Sequence, residues 1–138
     1  MQSEMNPYIE FSGNARQAME YYQTVFGGKL SMQTFKDFQV SQNPADDHKI
    51  MHAQLNAENG ITLMAADSIH EAGHSPQSNI SISLSGDQQA ELTGYYNQLS
   101  AGGTVIEPLA QAPWGDHFGM CVDQFGIKWM VNIAGPKA

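Results

Sequence analysis

The chain carries one stretch of local sequence twice. Tyr21-Tyr22-Gln23-Thr24-Val25-Phe26-Gly27-Gly28-Lys29-Leu30 is echoed by Tyr95-Tyr96-Asn97-Gln98-Leu99-Ser100-Ala101-Gly102-Gly103-Thr104-Val105. Each copy reads as a helix end with paired tyrosines, a glycine pair, then a new strand. Each also follows a strand-like run, Tyr8-Ile9-Glu10-Phe11 in one half and Ile80-Ser81-Ile82-Ser83-Leu84 in the other. A repeat of this length exceeds most solenoid units and falls short of an independent domain. It points to two half-domains sharing one core, with a cleft between them as the expected place for function.

In the first half, residues 6–12 read as a strand and Gly13-Asn14 as a turn, with Asn14 the expected N-cap of a helix. Ala15, Ala18, Met19, Tyr22, Val25 and Phe26 recur at helical spacing until Gly27-Gly28 stops the helix. Residues 30–35 form the next strand, and 36–47, with Pro44 and an acidic pair, read as a loop. Residues 50–57 alternate, with Met51, Ala53 and Leu55 on one face and His52, Gln54 and Asn56 on the other. Glu58-Asn59-Gly60 is a hairpin turn, and 61–66 return as a strand with Thr62 and Met64 opposite Ile61 and Leu63. Residues 67–78 then read as a linker holding His70, Gly73, His74 and Pro76.

The second half follows the same order. Residues 79–85 alternate as a strand, Asp87 is the expected N-cap of a helix reaching Ser100, and Gly102-Gly103 breaks it. Strands are expected at 104–109, 118–122 and 128–133, the last with Trp129, Val131 and Ile133 opposite Lys128, Met130 and Asn132. The result is strand–helix–three strands, twice. A sheet covered by a helix buries one apolar face. The opposite faces hold His52, Gln54, Thr62, Met64, Asn79, Ser81, Met130 and Asn132, a mixture of imidazole, thioether and small polar groups. That mixture suits a ligand pocket, with apolar area for affinity and a few polar groups for orientation. It equally suits a half-solvated sheet.

Composition narrows the partners. At 138 residues and 41% apolar content the chain is one foldable domain rather than a disordered segment. A formal charge of −8, with the few basic residues scattered, disfavours nucleic acid. Cys121 is the only cysteine, so no internal disulfide forms, which fits a reducing cytosol. No signal-like segment and no apolar run near twenty residues occurs, so a cytoplasmic protein without membrane partners is expected.

The order and the repeat resemble the vicinal oxygen chelate superfamily, which includes glyoxalase I, extradiol dioxygenases and bleomycin-resistance proteins. Asn6-Pro7-Tyr8-Ile9-Glu10-Phe11-Ser12-Gly13-Asn14-Ala15 with Tyr21-Tyr22 resembles the opening of its PhnB-like members. His52-Ala53 with Leu63-Met64-Ala65-Ala66-Asp67 resembles their middle segment. Trp114-Gly115, Phe118-Gly119, Asp123-Gln124-Phe125-Gly126 and Trp129-Met130-Val131-Asn132 resemble their C-terminal signature. The resemblance implies an α+β fold of two paired βαβββ modules whose curved mixed sheets surround a cavity. On this chain that gives a single glyoxalase-like domain, with module one about 5–67, a linker about 68–78 and module two about 79–134. It also implies a homodimer and a small-molecule ligand.

Superfamily enzymes hold a divalent metal with His or Glu on the first and last strand of each module. Those positions fall here near Pro7 or Tyr8, then at Met64, Asn79 and Met130. Methionine is a soft, weak ligand and asparagine is poor without carboxylates beside it. The expectation is therefore no usual metal site and no cofactor. His48, His70, His74 and His117 are scattered and offer no rigid ligand frame. Proteins of this type are labelled as similar to a demethylubiquinone methyltransferase, but no glycine-rich nucleotide loop follows the first strand.

The candidate ligand contacts in module one are Tyr8, Glu10, His52, Gln54, Met64 and Asp67. In module two they are Asn79, Trp114, Phe118 and Met130. His52 and Glu10 are the catalytic candidates: a carboxylate beside an imidazole orients it and makes a general base, whereas otherwise His52 is a polar strand residue. Asp67 either caps a turn or orients a ligand at the cavity mouth. Trp114 either covers a bound ring or a partner subunit, or packs beneath its loop. One tyrosine of each pair is expected to pack on its sheet, since adjacent helical positions diverge by about 100°. The primary reading is a metal-free protein binding a small organic molecule. The alternative is a lyase or isomerase using His52 and Glu10 with a recruited divalent metal, and a purely structural module is the third.

Overall fold

A computed structural model describes residues 4–39, 43–68 and 79–135, which form two compact units, Met1–Ser75 and Pro76–Ala138. The expected linker histidines His70 and His74 lie outside the described residues.

Module one is built from β1 (Tyr8–Phe11), α1 (Ala15–Phe26), β2 (Lys29–Thr34), β3 (Ile50–Asn56) and β4 (Thr62–Asp67). The sheet order is β1-β4-β3-β2, with β1 parallel to β4 and the other pairs antiparallel. Helix α1 buries the six residues whose spacing marked it, Ala15, Ala18, Met19, Tyr22, Val25 and Phe26. They lie in one core with Ile9, Phe11, Ile50, Ala53, Leu55, Leu63 and Ala65. Each large aliphatic side chain fully withdrawn from water contributes roughly 2 kcal/mol.

Module two repeats the plan with β5 (Ile82–Gly86), α2 (Gln89–Ser100), β6 (Thr104–Gln111), β7 (His117–Val122) and β8 (Lys128–Ile133). Its order is β5-β8-β7-β6, again with the first strand parallel to the last. Trp129, Val131, Ile133, Cys121, Leu92 and Leu99 form its core. The chain is thus an α+β protein of two four-stranded mixed sheets, each with one helix.

The structure departs from the sequence expectations where distant residues override local ones. Asn14 holds the N-cap position of α1 but its side chain makes no capping bond. Asp67 does that work from the far end of the module: its Oδ1 accepts from Gly13 N and Ala15 N, both at 2.9 Å, and its Oδ2 accepts from Ile50 N at 2.8 Å. Asp87 does not cap α2 either; the cap position is Gln88, whose Nε2 donates to Asp87 Oδ1 at 3.1 Å. The clean alternation expected from Met51 is broken, because Gln33 pairs with His52 while Thr34 pairs with Ile50. That bulge leaves Met51 unpaired and turns Ile50 into the core. Strand β5 starts at Ile82 rather than Asn79, and β6 runs on to Gln111.

The second tyrosine pair also differs from expectation, since Tyr95 and Tyr96 are both buried. Tyr95 OH donates to Glu91 Oε1 at 2.6 Å, one helical turn back. Tyr96 OH donates to Glu107 O at 2.9 Å, at the irregularity where β6 slips against β7.

Cys121 is fully buried on β7. Burial, with the Asp123 carboxylate adding, pushes its thiol from 9.0 up to about 11. A raised folded-state pKa means the unfolded chain releases the proton first. The contribution to stability is therefore intact below about pH 9 and is lost as pH climbs towards 11. The thiol is expected to ignore Ellman's reagent at pH 8 in the native protein and to react fully in denaturant. Rapid native reaction would overturn this placement.

Candidate functional site

The strand register fixes which side chains share the face of module one that points away from α1. Tyr8 is level with Met64, Met64 with Gln54, and Gln54 with Ser31, so one rung crosses all four strands. The next rung holds Glu10 beside Ala66 and His52 beside Gln33. Strand periodicity, with side chains alternating every residue, puts these groups on one side and Ile9, Leu63, Ala65 and Leu55 on the other.

Tyr8 is 53% exposed and its ring lies against the His52 ring, with centroids 5.9 Å apart and planes inclined at 60°. Partial burial, then the Glu10 carboxylate, raises the Tyr8 phenol above its ordinary value. The hydroxyl therefore stays a hydrogen-bond donor at neutral pH. Glu10 and His52 share the face but are separated by β4, two strand spacings or about 10 Å at the backbone. No hydrogen bond or ion pair joins them among the described residues, and the aromatic neighbour of the imidazole is Tyr8. Gln54 Nε2 is engaged with Asn56 Oδ1 at 3.0 Å.

Asp67 is turned away from this face. It is 5% exposed, and three backbone N–H groups occupy its two oxygens. The capping alternative describes its contacts, and its carboxylate lies off the open face.

In module two the corresponding face carries Ser83 beside Met130 and Met130 beside Met120. The next rung holds Ser85 beside Asn132, Asn132 beside Phe118, and Phe118 beside Ala110. Asn79 is exposed and precedes the strand, so the residue facing Met130 is Ser83 instead. Trp114 is 69% exposed at the tip of the β6–β7 hairpin, where Gly115 N donates to Ala112 O at 2.9 Å. Phe118 is half-buried within the face.

Sequence reasoning missed the device that holds Asn132. Asp116 Oδ2 accepts from Asn132 Nδ2 at 3.1 Å and its Oδ1 accepts from Gly135 N at 2.8 Å. The Gly135 and Asn132 hydrogen bonds hold the Asp116 carboxyl below its usual range. The only signal in the sequence was an aspartate opening the strand that pairs with Asn132.

The register pairs Tyr8 with Met64 and Ser83 with Met130, and these are the four positions where the resemblance would place metal ligands. A protonated phenol, two thioethers and a hydroxyl do not fit a hard divalent ion, and offer no imidazole or carboxylate to a softer one. Among the described residues, no three of His, Cys, Asp and Glu lie close enough together to hold a metal. No helix of the described residues is long and apolar enough to cross a membrane.

Residues 3–132 match the family model described as 3-demethylubiquinone-9 3-methyltransferase. Among solved structures the chain is similar to protein PA1353 from Pseudomonas aeruginosa, with 39% identity, a TM-score of 0.79, and coverage of 96% of this chain and 98% of that one. It shares the fold of the PhnB protein from Bacillus cereus, with 21% identity, a TM-score of 0.78, and coverage of 96% and 100%. The same fold extends to a glyoxylase/bleomycin resistance protein/dioxygenase domain from Frankia sp. EAN1pec, with 12% identity, a TM-score of 0.65, and coverage of 99% of each chain.

Proposed function

The chain belongs to the family described as 3-demethylubiquinone-9 3-methyltransferase, a PhnB-like branch of the vicinal oxygen chelate superfamily, and on that premise we propose that it binds a small organic molecule without the superfamily's usual metal. The open sheet face of each module is the binding surface in this reading. The observation that carries it is the rung Tyr8–Met64–Gln54 with His52 beside it. A solvent-facing sheet has no need of an aromatic pair and a thioether at its centre, whereas a ligand does.

Methyl transfer is not the activity we favour. Many nucleotide-type cofactors are gripped by free amides where the first strand enters the first helix. Here the Gly13 and Ala15 amides of that turn are already taken by Asp67. The proposed protein acts in the cytoplasm, as a homodimer.

Native mass spectrometry of the intact protein tests ligand and oligomer together. A retained mass of a few hundred daltons on a dimer is expected. Once that molecule is identified, His52→Ala should weaken its binding about 3- to 10-fold, the worth of one aromatic contact, with the fold intact by circular dichroism. Unchanged affinity would remove His52 from the site. Stoichiometric Zn, Ni, Mn or Fe in protein purified without chelators would favour the enzyme alternative, with His52 and Glu10 as its first candidates.

A further inference from the structure

We infer that the ligand of module one's open face is an organic cation, an alkylated or protonated amine seated against the Tyr8 ring with the Glu10 carboxylate as its counter-charge. The inference rests on the reading that this face binds a small molecule, and gives that molecule a chemical class.

The geometry is that of an aromatic patch with a carboxylate beside it. The Tyr8 and His52 rings, 5.9 Å apart and inclined at 60°, pack against each other, and Tyr8 stays 53% exposed, so a ligand can lie on its ring. Glu10 follows Tyr8 by two residues on the same strand, so its carboxylate stands on the same face about 7 Å along. It is exposed, and no ion pair or hydrogen bond engages it among the described residues. The surrounding positions of the face are Met64, Gln54, Gln33 and Ala66, none of them cationic. Lys29 is at the opposite edge, on β2, three strand spacings or roughly 14 Å from β1. A carboxylate beside an aromatic face attracts a cation and repels an anion, because the ring quadrupole presents negative density there. A carboxylate-bearing ligand would meet both repulsions.

Module two, taken by itself, has the same preference. A carboxylate only accepts hydrogen bonds, so Asp116 must be met by the Asn132 NH₂ group. The Asn132 carbonyl oxygen is thereby left as an acceptor on the face that also carries Phe118. An acceptor beside an aromatic ring again suits a ligand rich in donors.

The test is an NMR titration of the full chain with choline and, separately, with its neutral isostere 3,3-dimethylbutan-1-ol. Choline is expected to shift the Tyr8 and His52 signals and to bind about tenfold more tightly than the alcohol, the sum of a half-exposed cation–π contact and a surface counter-charge. Glu10→Gln and Tyr8→Leu should each weaken choline about fivefold, whereas Tyr8→Phe, which keeps the ring, should change it less than about twofold. Equal binding of the two probes, or indifference to Glu10→Gln, overturns the assignment. A neutral or anionic molecule retained by the wild-type protein and lost in His52→Ala would leave the binding face standing while removing the cation. Absence of any perturbation on this face by probes or by a retained molecule would remove both.

Discussion

Replacing Asp67 with alanine is expected to destabilise the protein by about 3–5 kcal/mol, the cost of breaking a buried, fully hydrogen-bonded charge site. The carboxylate accepts from Gly13 N, Ala15 N and Ile50 N. These amides belong to the turn before α1, to the first residue of α1, and to the first residue of β3. One side chain at the end of β4 therefore ties together the starts of two other elements, and its loss leaves three amides without that partner, two of them in buried hydrogen bonds. Domains of this size have total stabilities of about 5–15 kcal/mol, so the variant should be partly unfolded at physiological temperature. Asp67→Asn should recover only part of the loss. Its amide keeps one acceptor oxygen and turns an NH₂ group towards an N–H that needs an acceptor. Urea unfolding followed by circular dichroism measures both variants. A loss below about 1 kcal/mol for the alanine variant would show that water or another acceptor replaces the carboxylate.

Asp67 also marks where local sequence stops being informative. The core of each sheet was readable because burial repeats every second residue: Leu55, Leu63, Ala65, Trp129, Val131 and Ile133 are all buried as alternation predicted. The six inward residues of α1 were readable for the same reason at helical period. Asp67 was readable only as a turn cap or a ligand contact, because its partners lie 54, 52 and 17 positions away in the chain. Asn14 and Asp87, both good caps by residue type, lost that role to structure built by distant segments. The open face was half legible. Its residue types followed from alternation, but the order β1-β4-β3-β2 is not written in the sequence. That order sets a strand between Glu10 and His52 and puts the His52 ring against Tyr8. Similarly, one shifted strand start moved the partner of Met130 from Asn79 to Ser83.

The duplicated glycine pair supports the second large effect: Gly103→Ala is expected to cost about 3 kcal/mol, the upper part of the usual range for overpacking. A Cβ on Gly103 would overlap the Val122 carbonyl oxygen and come within 2.9 Å of Asp123 Cα. Both are backbone atoms at the end of β7, and backbone cannot rotate out of the way as a side chain can. Moving Asp123 has its own consequence. Its carboxylate accepts from Phe125 N, Ile127 N and Trp129 Nε1 at 2.8, 3.0 and 2.8 Å, so it holds both the β7–β8 turn and the largest buried side chain of the module. Gly28 is the counterpart in module one, where a Cβ would overlap Asn56 O and fall 2.5 Å from Ala57 Cα. At φ +92° it adds a backbone conformation that side chains disfavour, so Gly28→Ala should be at least as damaging. Gly102 separates the two causes: its φ is +77°, but a Cβ there would meet only the Gln124 side chain, at 3.8 Å. Gly102→Ala should therefore cost only about 1 kcal/mol, the left-handed penalty alone. Thermal unfolding of the three variants reads the order directly. If Gly102→Ala proves worse than Gly103→Ala, the second glycine of each repeat is not there to let the helix–strand elbow press against the neighbouring strand.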